Sequence, residues 1–118
     1  MLRVTVKPPP SANSLFVNLP HGHGRAKSKA YKNWLTDSLW KLRMDTPISG
    51  VYHDRAVSVR YLIPFNNRRD LGNYEKPLSD LLQAAGIFQN DKQIKRILLE
   101  WVDGEHCILE ISSVEEEA

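Results

Sequence analysis

The stretch RRDLGNYEKPLSDLLQAAGIFQNDKQI, running from Arg68 to Ile94, decides how the rest of the chain is read. Within it Tyr74, Leu78, Leu81, Leu82 and Ala85 recur at i, i+4, i+7, i+8 and i+11, which predicts one helix with one buried face. Asn73 suits its N-cap, and Pro77 is tolerated in a first turn whose backbone donors lack partners. Gly86 followed by Ile87 reads as a C′ glycine with an apolar residue behind it, so the helix is predicted to end near Ala85. A helix of about twelve residues rises roughly 18 Å, and an extended segment from Gly86 to Asp91 spans at most about 20 Å. Chain length therefore permits Asp91 to return to Asp70. Two carboxylates flanking a helix in this way suit Mg²⁺, which takes one or two from the protein and fills its shell with water and phosphate oxygens. Lys76, about a turn into the helix, adds a point positive charge.

Outward from that helix, Val57, Val59, Tyr61 and Ile63 alternate with Ala56, Ser58, Arg60 and Leu62, a strand cut off at Pro64. It delivers Asn66 to Asp70 just past a strand's carboxyl end, the usual place for a site on an α/β sheet. Ile94 to Val102 reads as the next strand, Asp103-Gly104 as a tight hairpin turn, and Glu105 to Ser113 as the last strand, with Cys107, Leu109 and Ile111 on one face. Upstream, Leu2 to Lys7 alternates as a first strand and stops at Pro8-Pro9-Pro10. Ser28 is placed to cap a helix reaching about Arg43, whose stripe is Ala30, Tyr31, Trp34, Leu35, Ser38, Leu39 and Leu42. Trp40 and Met44 point to the opposite side, where an unpaired tryptophan predicts a contact with a second copy of the chain. The order β-α-β-α-β-β predicts one α+β (or α/β) domain over residues 1–118, a mixed four-stranded sheet with two main helices, and a tail fraying from about Val114 to Ala118.

The connecting segments carry charge. Ser11 to Lys27, rich in Pro, Ser, Asn, Gly and His, reads as a long loop, which in a small domain is usually functional or mobile. Its basic end, Arg25 and Lys27 with Lys29 beyond, suits a phosphate backbone, and Phe16 suits tucking the loop onto the core. His21 and His23 lack the further ligands of a zinc site and read as part of a glycine-rich loop. Thr46 to Arg55 reads as a turn-rich connector.

The chain has 118 residues, 42% hydrophobic and 25% charged, a composition that suits one globular domain with a modest core. Its net charge of +2 hides a segregation, for Glu100 to Ala118 hold seven acidic and no basic side chains. That leaves sixteen basic against seven acidic ahead of them, a balance that favours a polyanionic partner. A single cysteine, Cys107, and a first segment without an apolar signal core point to a reducing cytoplasmic compartment. No apolar run is long enough to cross a bilayer. No glycine-rich phosphate loop and no nucleophile elbow appears, which disfavours serine or cysteine hydrolase chemistry.

The run Asp70-Leu71-Gly72-Asn73 with Lys76, Asp80, Leu82, Gly86, Asp91 and Gln93 resembles the core motif of the RusA-type Holliday junction resolvases, approximately D-x-D-N-x-x-K, D-x-L, G and D-D. Pro9, Pro10, Ser11 and Asn13 resemble an upstream Pro-Pro-Ser-x-Asn of the same family. The resemblance implies a homodimeric, Mg²⁺-dependent endonuclease of branched DNA acting in recombination and repair. Asp70 and Asp91 would be metal ligands, Lys76 would assist catalysis, and Arg25, Lys27, Lys29, Arg68 and Arg69 would lie on DNA. This chain departs from the motif at Gly72, where the family has its second aspartate, and at Asn90, before Asp91. Glu75 is the carboxylate within reach to replace the ligand missing at Gly72, sharing a helical face with it. Two other classes fit the same residues: a junction-binding protein with impaired cleavage, and an RNA-binding or protein-interaction module.

Overall fold

The computed structural model describes residues 1–45 and 50–117. Its strands are β1 (Leu2–Val6), β2 (Phe16–Asn18), β3 (Arg25–Lys27), β4 (Val57–Pro64), β5 (Ile94–Val102) and β6 (Cys107–Ser113). Its helices are α1 (Lys29–Asp45), α2 (Glu75–Ala84) and a short α3 (Val114–Glu117). Four strands form a mixed sheet in the order β1-β6-β4-β5, with β4 and β5 parallel and the other neighbours antiparallel. The α+β class and the two main helices follow the periodicities.

The β4-α2-β5 crossover is the organising unit. One face of β4, carrying Val57, Val59, Tyr61 and Ile63, is buried beside Leu109 and Ile111 of β6, and α2 lays Leu78, Leu81 and Leu82 onto it with no exposed surface. Burying each such leucine is worth about 1.5–3 kcal/mol relative to leaving it in water. Helix α1 adds Tyr31, Trp34 and Leu42 to the same core, and the Trp34 indole donates to the Lys7 carbonyl at 2.8 Å. Ser28 Oγ accepts from the Tyr31 amide at 3.1 Å, the predicted cap, although the helix runs on to Asp45. The opposite face of the sheet is polar. There Arg60 reaches Glu100 at 3.0 Å and Glu110 at 3.4 Å, and Arg3 lies 3.8 Å from Glu110.

Three expectations change. Ser11 to Lys27 is not a plain loop, because Phe16–Asn18 and Arg25–Lys27 pair antiparallel as a separate ribbon. Phe16 does tuck inward, its ring edge-on to Tyr31 at 5.8 Å. The segment after Asp70 enters its helix through a 3-10 turn, Leu71–Tyr74, so Asp70 stands at the N-cap of the turn and Tyr74 rather than Asn73 at the N-cap of α2. The tail forms α3 over Val114–Glu117, tied down by a hydrogen bond that the Val114 amide donates to the Ala56 carbonyl at 3.0 Å and by the amino group of Met1 at 3.1 Å from Glu116. Of the predicted Thr46 to Arg55 connector, residues 46–49 lie outside the described residues, while Tyr52 is buried and donates to the Ile111 carbonyl at 3.1 Å.

The end of α2 is as predicted. Gly86 sits at φ +76, a left-handed conformation that favours glycine, with its amide on Gln83 at 3.0 Å and the Ile87 amide on Leu82 at 3.2 Å. This reversal buries Ile87 and Phe88 and carries the chain to the amino end of β5.

Candidate functional site

Pro64 ends β4, and a tight turn follows in which the Asn66 side-chain oxygen accepts the Arg68 amide at 2.9 Å. Asp70 comes next in extended conformation, its carbonyl holding the Asn73 amide at 3.2 Å. Its carboxylate makes no capping hydrogen bond and is exposed. It lines a pocket of about 220 Å³ with Arg68, Arg69, Ser11, Asn13 and Asn73. Arg69 builds this pocket: its Nη1 donates to the Pro9 carbonyl at 2.8 Å while its guanidinium lies 5.8 Å from the centre of the Tyr74 ring. The proline run after β1 and the Arg-Arg-Asp run after β4 thus meet at one end of the sheet, around the pocket that Asp70 lines. A Cβ added at Gly72 would meet nothing within 4 Å, so the position is open space.

Helix α2 begins with two engaged side chains. Ser79 Oγ donates to Glu75 Oε1 at 2.9 Å and lies 2.8 Å from the buried Tyr61 hydroxyl, a chain running from the sheet centre to a half-buried carboxylate. Glu75 therefore reaches toward the C-terminal side of its helix, not back toward Gly72. Lys76 lies 3.6 Å from Asp80, whose Oδ2 also accepts from the Tyr31 hydroxyl at 3.0 Å. Burial and then the adjacent Asp80 carboxylate hold the Tyr31 hydroxyl protonated, well above the usual phenol range. Burial does the same for Tyr61, opposed in part by its bond to Ser79.

Asp91 does not join Asp70 within one chain. It is exposed at the start of a 3-10 turn, Asp91–Gln93, capped by Asn90, whose side chain accepts the Lys92 amide at 2.8 Å. That turn leads into Ile94, opposite Val57 at the beginning of β4, whereas Asp70 follows Pro64, opposite Val102 at the far end. Eight residues of β4 separate the two ends, about 25 Å at the rise of a parallel strand. Tyr74 packs on Trp101 at 5.8 Å, which fixes the Asp70 segment at the carboxyl end of β5. Length alone allowed the return, but a parallel crossover has to begin β5 beside the beginning of β4. Among the described residues, no three His, Cys, Asp or Glu side chains converge as metal ligands.

The remaining predicted residues sit on the surface around α2. Arg25 lies over the Phe16 ring at 4.7 Å and Lys27 is 5.9 Å from the Tyr31 ring, while Lys29 is exposed at the start of α1. Lys27, Lys76, Asp80 and Phe16 line a groove of about 510 Å³ between the β2–β3 ribbon and α2. Trp40 and Met44 are 66% and 78% exposed on the outer side of α1. Sequence reasoning passed over Phe65, which is 64% exposed beside Trp101 at 5.5 Å on the Asp70 end of the sheet. An aromatic residue directly after the strand-ending Pro64 was the available signal.

Comparison with known proteins places these observations. Residues 6–112 match the family model described as endodeoxyribonuclease RusA. Over 75 residues the chain is 28% identical to the crossover junction endodeoxyribonuclease RusA of Aquifex aeolicus (strain VF5), a region covering 64% of this chain and 60% of that relative. Because the family match runs from the last residue of β1 nearly to the end of β6 and includes the residues that line the Asp70 pocket, the chain belongs to the RusA endodeoxyribonuclease family.

Proposed function

We propose that this protein is an endodeoxyribonuclease that cuts four-way DNA junctions, acting in recombination as a cytoplasmic homodimer with Mg²⁺. The observation that carries the reading is the pocket that the exposed Asp70 lines together with Arg68 and Arg69 past the carboxyl end of β4. Two guanidinium groups beside a carboxylate suit a phosphodiester, since the arginines neutralise phosphate while the carboxylate faces the reacting end. Lys27 lines the groove that Lys76 enters, and Arg25 and Lys29 are exposed near it in the chain, a set of cations that would give affinity without sequence information. Lys76, paired with Asp80, is available to exchange that partner for a phosphoryl oxygen. Mg²⁺ is the ion that carboxylate donors of this kind favour. Among the described residues one copy of the chain brings no full ligand set together, since Asp91 is remote, Gly72 offers no donor and Glu75 accepts from Ser79.

The test is a gel assay of a synthetic four-way junction with and without Mg²⁺. Paired symmetric cuts are expected, lost in Asp70→Asn while junction binding stays or tightens. Equal binding to linear duplex and junction, with no cutting of either, would defeat the reading. The missing donor at Gly72 supports a second reading, a junction-binding protein whose cleavage has lapsed. No cutting by the parent and restored cutting by Gly72→Asp would establish it.

A further inference from the structure

Phe65 has no part in the chemistry described so far. It follows Pro64 at the end of β4, and 64% of its surface is exposed. A lone exposed phenyl needs no explanation, but this one is neither isolated nor loose. Its amide donates to the Val102 carbonyl at 3.0 Å, which closes the β4–β5 ladder and fixes its backbone. Its ring stands against that of Trp101, 5.5 Å away with 78° between the planes, an edge-to-face contact that holds both rings in one orientation.

The ring ends a row of side chains that begins in the Asp70 pocket. Arg69 and Tyr74 line that pocket, with the guanidinium 5.8 Å from the Tyr74 ring, and Tyr74 meets Trp101 at 5.8 Å. From Arg69 to Phe65 there are thus three steps of under 6 Å each, a span that a few nucleotides of one strand cover at about 3.4 Å apiece. At the far end Phe65, Trp101, Val102 and Asp103 surround an open hollow of about 300 Å³.

The chemistry of the hollow selects its occupant. Its walls are two rings and a valine, and its one charge is the exposed Asp103, a carboxylate that repels phosphate. The cations that suit phosphate, Arg68 and Arg69, stand at the other end of the row. A DNA strand laid across both therefore sets its backbone on the arginines and a base on Phe65. Stacking on an aromatic side chain suits any sequence, because every base has a π face. Inside a linear duplex those faces are covered by neighbouring pairs. At a four-way branch point the last pair of each arm loses its neighbour where the arms part.

We infer that Phe65, braced by Trp101, is a stacking platform for the base face laid open at the branch point, and that it helps the protein choose branched over linear DNA. The inference rests on the junction reading for the identity of the DNA, but it concerns binding, which is measured without metal.

Affinity for a synthetic four-way junction and for a relaxed closed circle of duplex is measured without Mg²⁺ over a range of salt. Phe65→Ala should lose on the order of tenfold in junction affinity. Circle binding and the salt slope should stay as in the parent, because a stacking contact releases no counterions. Phe65→Trp should bind as the parent does, and Phe65→Leu, apolar but without a π face, should bind as Phe65→Ala does. With iodouracil as the base beside the branch point, irradiation should cross-link the DNA to the peptide that holds Phe65. Unchanged junction affinity in Phe65→Ala, an equal loss on the circle, a flattened salt slope, a parent-like Phe65→Leu or a cross-link elsewhere would overturn the platform. So would a lower sedimenting mass in Phe65→Ala, which would assign the ring to a contact between copies of the chain. A parent that cuts at no Mg²⁺ concentration, with the Phe65 effect on binding intact, would defeat the nuclease reading and leave the platform standing.

Discussion

Ser79→Ala is the most informative single substitution in the core. Ser79 stands between the Tyr61 hydroxyl at 2.8 Å and Glu75 Oε1 at 2.9 Å, and Tyr61 has no exposed surface. Removing Oγ strands the Tyr61 hydroxyl in the core, at a cost of about 1–3 kcal/mol for an unmatched buried polar group. Glu75 is half-buried and recovers a partner from water, so it adds little. A chain of 118 residues unfolds with an entropy of about 0.25 kcal/mol/K, so a loss near 2 kcal/mol lowers Tm by about 8 °C. Tyr61→Phe removes the hydroxyl and leaves Ser79 on Glu75, which costs about 1 kcal/mol. Once the hydroxyl is gone nothing is stranded, so the double variant should fall short of the sum by about 1 kcal/mol. Urea unfolding of the four proteins measures the cycle. Strict additivity, or a Ser79→Ala loss under about 0.5 kcal/mol, would refute the chain as drawn.

Gly72→Asp enters open space at a backbone angle that any residue tolerates, so it should fold normally and raise Mg²⁺-dependent cutting. A tenfold gain in ion affinity would add about 1.4 kcal/mol, near 6 °C in Tm, at saturating Mg²⁺, and an unchanged Mg²⁺ response would show that position 72 does not face the ion. Arg69→Ala loses both the Pro9 contact and a phosphate partner, so junction affinity should drop and the salt slope flatten by about one unit; an unaltered slope would remove Arg69 from the DNA surface. Burial pushes the Cys107 thiol up from 9.0 to about 12, with Arg69 pulling weakly the other way. A raised folded value means that the thiol's contribution is complete below pH 9 and is lost as pH climbs toward 12, so the urea midpoint should fall over that range and fall less in Cys107→Ala. Equal slopes in both proteins would show the thiol contributes nothing.

Much of the fold was legible because its elements are amphipathic and their signals are local. The period-two runs at Leu2 and Val57, the stripe through Tyr74, Leu78, Leu81, Leu82 and Ala85, the Ser28 cap and the Gly86 stop each depend on a few neighbouring residues, and each appears in the structure. The ribbon of β2 and β3 escaped notice because three-residue strands are too short to show a period. The ordered tail escaped because what holds Val114 and Glu116 is the Ala56 carbonyl and the amino group of Met1, both remote in sequence.

By itself the sequence nominated the candidate site residues and determined the helix between them and the mixed character of the sheet. Only the tertiary structure decided which of those residues meet. Arg69 joins Asp70 to the Pro9 segment through a bond spanning 60 residues, which no local pattern encodes. The segregation of acidic from basic residues along the chain is also partly offset in space, since strand pairing sets Glu100 and Glu110 beside Arg60 and Arg3. Spacing counts residues between Asp70 and Asp91 but not the direction of β5. Direction is imposed by the parallel ladder with β4, and that ladder sends the two carboxylates to opposite ends of the same sheet.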